Sequence, residues 1–349
     1  MDHLSLLENL LKIYSPSGQE LPAVAFLVDQ MRALGFEAGI DPAGNAVGCC
    51  GQGDQTIVLL GHIDTVPGFI PVRASDGELW GRGAVDAKGP LATFVCAAAE
   101  ARPQIPPGWR LVVIGAVGEE ADSPGAHYLK DLYRPAFAVI GEPSGWEKIA
   151  LGYKGSAWYE YSAQRSMAHT AGRHESACDA AFGFWQRALA WVNAQNAPTS
   201  RLFEQISPTL RGMNSETNGF AEKASLRFNL RLPLSLSIEA CDAALRSLLD
   251  EAELRLLDSV AAYRSEKNTP LVRALLAAIR QAGGAPSFSL KNGTADMNIV
   301  GPLWNCPIVA YGPGDSTLDH TPEERIVIAE YEQAIRVLAH GLLTLCHNS

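Results

Sequence analysis

The chain has 349 residues, room for two domains at about 150 residues each. Hydrophobic residues make up 47% and charged residues 19%, a globular composition that excludes disorder as the main state. The 28 basic and 38 acidic residues give a formal charge of −10, which argues against charge-driven nucleic-acid binding. No run approaches the roughly 18–20 apolar residues that span a bilayer.

Helical spacing runs over Leu4–Tyr14 and Leu21–Leu34, and Gly35 is a good stop for the second helix. Thr56–Leu60 is a short apolar run rich in β-branched residues, as expected of a buried strand. Arg110–Val117 and Phe137–Ile140 read the same way. Between them, Pro90–Glu100 reads as a helix with proline at its first position. This alternation predicts an α/β sheet covered by helices. Near Ala150 the character changes. Ser156–Ala163 is strand-like and aromatic, and Glu175–Val192 is helical. Ala224–Leu232 alternates like a half-buried strand, Ile238–Asp250 reads as a helix, and Glu253–Tyr263 as a strand. The order strand–helix–strand–strand–helix–strand predicts a small α+β domain, ferredoxin-like in its connections, with one open sheet face. After Lys267 the α/β character resumes, with a helix over Pro270–Gln281, a strand near Pro307–Ala310 and a last helix over Glu323–Leu345. The expected organisation is a domain of residues 1–149 and 267–349 with a second domain, residues 150–266, inserted into it.

The seven cysteines are odd in number, and none forms a C-x-x-C pair. Neither a disulfide framework nor a thiolate zinc site is indicated. Met1-Asp2-His3-Leu4 lacks the basic start of a signal peptide, so a cytoplasmic protein is expected.

Four segments carry chemistry. Gly61-His62-Ile63-Asp64-Thr65-Val66-Pro67 follows the first central strand. Gly81-Arg82-Gly83-Ala84-Val85-Asp86-Ala87-Lys88-Gly89 precedes the helix at Pro90. Gly118-Glu119-Glu120 and Gly141-Glu142-Pro143 end the other two strands. The carboxyl ends of strands in an open α/β sheet form its ligand crevice, so one histidine and several carboxylates would converge there. Such carboxylates repel one another and need a cation. Imidazole with carboxylate suits zinc, with manganese or cobalt as substitutes. Asp64 is placed to hold the second ring nitrogen of His62. Of Glu119 and Glu120, one can bind metal while the other holds a proton. Each segment alone reads equally as a turn, a solvated loop or a helix cap; in this order at strand ends they read together. Gly81 and Gly83 do not make a dinucleotide fingerprint, and no G-x-S-x-G elbow is present.

These words, with the late Asp319-His320-Thr321-Pro322-Glu323-Glu324, resemble the two-zinc amidohydrolase family of acetylornithine deacetylase, succinyl-diaminopimelate desuccinylase and aminoacylase. The resemblance spans essentially the whole chain and implies a zinc-peptidase-like catalytic domain with a mixed sheet between helices. The insert would be a lid and dimerisation domain. It also implies His62 and Glu142 on one zinc, Glu120 and His320 on the other, Asp86 bridging both and Glu119 as general base. A cis bond between Asp86 and Ala87 is implied as well. His169, in the insert, would stabilise the oxyanion, usually from a dimer partner, with His174 as its rival. His3, His127, His340 and His347 are read as structural or surface residues.

The narrower resemblance is to the LysW-lysine hydrolases, which act in an amino-group carrier route to lysine. It rests on the second segment extended through Pro90-Leu91-Ala92, on Gly141-Glu142-Pro143-Ser144-Gly145-Trp146, on Leu151-Gly152-Tyr153-Lys154-Gly155 and on Lys291-Asn292-Gly293-Thr294-Ala295-Asp296-Met297-Asn298. It implies release of lysine, or ornithine, from the terminal Glu of a carrier protein. Arg231, Arg227 or Lys291 would bind a substrate carboxylate, with Thr294 beside them, and Asp296 would face the substrate's cationic side chain. Around His169 the chain reads M-A-H-T-A-G-R-H, closer to general deacylases. An N-acetyl-lysine or N-acetylornithine deacetylase, or a related aminoacylase or dipeptidase, is therefore the alternative. A metal-free binding protein on the same scaffold ranks last, because every ligand-type residue is present.

Residues 150–265 hold 12 basic and 12 acidic side chains, so the insert is neutral and the rest of the chain carries the whole −10. Asp64, Asp86, Glu119, Glu120 and Glu142 are part of that excess. An acidic carrier would need a local basic surface, expected on the insert at Lys154, Arg165, Arg173 and Arg211.

Overall fold

The three apolar runs form the centre of a mixed sheet. The computed structural model describes residues 2–348. Strand Gln55–His62 runs parallel to Trp109–Ala116 on one side and to Phe137–Gly141 on the other. Ile308–Ala310 continues the parallel set beyond Phe137–Gly141. Antiparallel strands extend it at both ends: Ala46–Gly51 and then Glu37–Ile40 beyond Trp109–Ala116, and Lys148–Tyr153 beyond Ile308–Ala310. The central strands are buried almost from end to end, as their unbroken apolar runs require.

The helix after Asp86 packs on the three central strands and on the last helix, Ile328–Asn348. It covers Lys88–Ala101, so Pro90 is its third residue rather than its first and still lies in the turn whose N–H groups have no helical partner. Close approach depends on glycines in register, Gly61 between Gly115 and Gly141. A Cβ at Gly61 would stand 3.3 Å from Leu91 Cβ, one at Gly115 3.2 Å from Leu91 Cδ2, and one at Gly141 3.0 Å from Phe94 Cε2.

The last helix begins at Ile328 and not at Glu323. Arg325–Val327 is a strand, paired antiparallel with Glu78–Trp80, which in turn pairs with Arg73–Ser75. Helices at Pro124–Leu132 and Asp296–Trp304 pack against each other.

The chain divides into two compact units. One contains the chain up to Gly152, Ser265–Ser289 and everything from Ala295 onward; the other contains Tyr153–Arg264 and Leu290–Thr294. The sequence-based boundaries thus move by a few residues, and a short later segment joins the second unit. That unit is a four-stranded antiparallel sheet in the order Ser207–Thr217, Ala221–Leu232, Gly155–Ser166, Glu253–Val260. Helices Ala177–Asn196 and Ile238–Arg246 supply the rest of a ferredoxin-like β-α-β-β-α-β pattern. Ser176 caps the longer helix with a capping box completed by Asp179. The apolar side of the sheet is closed by Tyr159, Tyr161, Phe184 and Phe228, with the Tyr161 and Phe184 rings stacked at 4.4 Å. All seven cysteines are free thiols. No helix among the described residues is long and apolar enough to cross a membrane.

Candidate metal centre

The sheet delivers His62 at the last position of its strand, with both ring nitrogens engaged. Nδ1 lies 3.1 Å from the Asp64 carbonyl oxygen and 3.4 Å from Asp64 Oδ1. Nε2 lies 3.1 Å from Asp86 Oδ1. A proton on Nδ1 directed at Asp64 leaves the Nε2 lone pair facing a carboxylate oxygen, an arrangement that needs a cation between them.

Asp64 is fully buried and accepts more than the ring. Oδ1 accepts the Glu119 N–H at 3.1 Å, and Oδ2 accepts the Glu120 N–H at 3.1 Å and the Ser17 hydroxyl at 2.6 Å. One side chain therefore orients His62 and fixes the Glu119-Glu120 turn. Gly118 makes that turn possible: its φ is +75°, and a Cβ there would stand 2.6 Å from Pro124 Cδ.

Asp86 carries its two oxygens in different directions. Oδ2 lies 3.0 Å from His320 Nε2, which is also 2.9 Å from Glu120 Oε1. His320 sits at φ +62°, in a turn held by Thr321 bonding to the Leu318 carbonyl through both its N–H and its hydroxyl. Two groups result: His62, Asp86 and Glu142, and Asp86, Glu120 and His320, each with one oxygen or nitrogen per residue mutually within 4.8 Å. They share Asp86. The peptide bond after it, Asp86–Ala87, is cis.

The protonation balance has one theme. Burial, reinforced by neighbouring carboxylates, pushes Glu119 and Glu142 well above the ordinary carboxyl range. Burial also raises Asp296, to about 7. Burial would raise Asp86 too, but hydrogen bonds from His320 and His62 outweigh it and hold Asp86 low. Bonds to Asp86 and Glu120 lift His320 to about 10. Without a cation the site offsets these charges by protonating histidines and carboxyl groups alike, so the donor set fits divalent cations in their place.

The other expected residues fall into two places. Asp296 is only 2% exposed and is no surface charge; its Oδ1 has no hydrogen-bond partner among the described residues. Arg231, Lys291 and Thr294 belong to the second unit, where Arg231 Nη1 donates to Thr294 Oγ1 at 2.8 Å and the Lys291 carbonyl accepts the Lys154 N–H at 3.1 Å. His169 lies in an exposed loop of the same unit, its Nδ1 accepting the Ala171 N–H at 3.1 Å. The expected basic surface needs correction. Lys154 is wholly buried, and its ammonium donates to the Gln205 carbonyl at 2.6 Å and Ser207 Oγ at 3.0 Å. Arg165 is engaged by Glu175 at 3.1 Å and by the Glu251 carbonyl at 2.8 Å. Sequence reasoning passed over Ser17, Arg82 and Glu324. The last two stand inside motifs quoted for other residues, and nothing local marks a buried pair 242 positions apart.

Histidines and carboxylates gathered near the carboxyl ends of the parallel strands of a mixed sheet, with a further carboxyl beside them, are the equipment of a metal-dependent amidohydrolase. The chain belongs to the peptidase family M20/M25/M40, whose family model matches residues 58–344. It is 44% identical to a [LysW]-lysine hydrolase of Deinococcus radiodurans, over 97% of this chain and 96% of that one. It is 39% identical to a putative [LysW]-lysine/[LysW]-ornithine hydrolase of Thermococcus kodakarensis, over 97% and 90% of the two chains. A tripeptidase from Staphylococcus aureus shares the fold, with a TM-score of 0.80 at 18% identity over 99% of this chain and 98% of that one.

Proposed function

We propose that this protein hydrolyses the amide that links lysine, or ornithine, to the terminal Glu of an amino-group carrier protein. The observation that carries the reading is 44% identity, along nearly all of both chains, to a relative named for that reaction. Two zinc ions are the proposed cofactors, with cobalt or manganese as substitutes. His62 and Glu142 would hold one, Glu120 and His320 the other, and Asp86 both, in keeping with the two groups that share it. When bound, the ions supply Lewis acidity and offset the buried carboxylates.

The protein's own residues do the rest. Glu119 is half-buried, within the electrostatic reach of His62, Glu142 and Asp296, and held by its own N–H on Asp64. It takes a proton from the attacking water and returns it to the leaving amine. Asp64 keeps the His62 ring and the Glu119 backbone in place. His169 stabilises the oxyanion from the second unit, which serves as lid and dimerisation element. A homodimer is supported by strand Ser207–Thr217, which lies at an edge of its sheet and among the described residues pairs only with Ala221–Leu232. Arg231, Lys291 and Thr294 hold the substrate carboxylate, and Asp296 faces the substrate's cationic side chain. We place the protein in the cytoplasm.

The test offers the purified enzyme carrier-linked lysine, carrier-linked ornithine, N-acetyl-lysine and N-acetylornithine. Preferential cleavage of a carrier adduct is expected. Cleavage of free acetyl amino acids with no action on either adduct would establish the deacetylase alternative instead.

A further inference from the structure

Asp86 belongs to both triads, and among the described residues its side chain is paired with His62 and His320. The turn that carries it is fixed from behind. Glu324, with no exposed surface, accepts the N–H groups of Val85 at 2.9 Å and Asp86 at 3.0 Å on Oε1. Its Oε2 accepts Arg82 Nη1 at 2.8 Å. Arg82 is 7% exposed and donates through Nε to the Gly68 carbonyl at 2.9 Å. The Gly81 N–H closes the loop on the Glu324 carbonyl at 3.3 Å.

Three segments meet in this pair. Gly68 follows His62 and Asp64, the turn from Gly81 to Asp86 carries the shared carboxylate, and Glu324 lies four residues beyond His320. An ion pair taken wholly out of water is a poor source of stability, since apolar side chains of the same volume often do as well. It is a good source of fixed geometry, because the two charged forks hold each other and three backbone groups at defined distances.

We propose that Arg82 and Glu324 are positioning residues that set the spacing between the two cation sites, by locking Asp86 relative to His62 and His320. The inference rests on the ligand assignment made above. Neither residue touches substrate or metal in this scheme. Removing one leaves the ligands chemically intact but lets the Asp86 turn shift against the His320 turn.

The experiment uses metal-free full-length protein, titrated with cobalt(II), for wild type, Glu324→Gln and Arg82→Lys. Glutamine offers one acceptor oxygen where Glu324 offers two, so it loses either the two amides or Arg82. Lysine keeps the charge but cannot reach Glu324 and Gly68 together through a planar fork. Readouts are cobalt stoichiometry, affinity by chelator competition, the visible cobalt spectrum, and thermal unfolding of the metal-free protein. Both variants are expected to bind cobalt about 10–100-fold more weakly with altered spectra, and excess cobalt should restore occupancy. Wild-type affinity and spectrum in the variants, with or without a lower unfolding temperature, would overturn the proposal and leave the pair a stability element. If Glu324→Gln does not fold, Arg82→Lys decides by the same criterion. A wild type that fails to bind two cobalt ions would overturn the ligand assignment itself, an outcome separate from both variants matching a two-cobalt wild type.

Discussion

Asp64→Asn tests the claim that one buried carboxylate organises two arms of the centre. Asp64 accepts three hydrogen bonds, from Ser17, Glu119 and Glu120, and faces His62 Nδ1 at 3.4 Å. Asparagine has a single acceptor oxygen. Placed where Oδ1 was, it keeps the Glu119 amide and turns its NH₂ toward the Glu120 amide and Ser17. Placed where Oδ2 was, it keeps Glu120 and Ser17 and opposes the Glu119 amide and the His62 ring. Either way a buried N–H loses its acceptor, at about 1–3 kcal/mol, and the surviving bonds lose their charge assistance. The sum is a destabilisation of about 2–4 kcal/mol for the metal-free protein, read by guanidinium unfolding. Metal affinity, read by chelator competition, should fall about 10–100-fold because His62 is no longer held in one tautomer. A variant within about 0.5 kcal/mol of wild type that also binds metal normally would refute the reasoning.

Glu119→Gln should keep both metal ions by elemental analysis while turnover drops about 10²–10⁴-fold; near-normal turnover would remove Glu119 as the proton carrier. His169→Ala should lower turnover about 10²-fold or more with metal content unchanged, and His174→Ala should leave it near wild type; equal effects would dissolve the distinction. Burial, reinforced by Arg231, lowers Lys154 to about 8 from an ordinary 10.5, so the unfolded chain binds more protons between those values. This contribution opposes folding fully below about pH 8 and fades as pH rises toward 10.5. The stability of wild type relative to Lys154→Met should therefore improve across that window in denaturant titrations, and a flat or falling difference would show that Lys154 is not so perturbed.

The central strands were legible because burial on both sides writes itself as a continuous apolar run, and each observed strand lies within a residue or two of its prediction. His62, Glu120 and Glu142 could be picked out because their motifs sit where strands end, whereas Asp86 and His320 are identified through the family resemblance. What stayed hidden depends on partners far along the chain. Arg325–Val327 reads as the first turn of a helix until its pairing with Glu78–Trp80 is known. Ala46–Gly51, with two glycines and two cysteines, has almost no β signal of its own and is a strand because Trp109–Ala116 lies beside it. Helix Asp296–Trp304 contains Pro302 and begins inside a motif that reads as substrate binding, so its sequence carries little helical signal. Lys154 looks like a surface charge in sequence, and Asp296 like an accessible substrate contact. Only the packed structure shows both to be buried.

The row of glycines at 61, 115 and 141 acts as a gauge. Helix Lys88–Ala101 begins two residues after Asp86, and His62 is the residue next to Gly61. The thickness of the layer between helix and sheet therefore helps to dictate how far apart two ligand-type side chains stand. A methyl group at Gly61 would crowd Leu91 of the helix that begins just after Asp86, one at Gly141 would crowd Phe94 and the Gly61 backbone, and one at Gly115 would crowd Leu91 together with Leu27 of helix Leu21–Ala33. On the proposed ligand assignment, the spacing of the centre's two cation sites depends in part on residues that never meet an ion. Attempts to retune its metal preference by exchanging ligands alone would leave that dimension untouched.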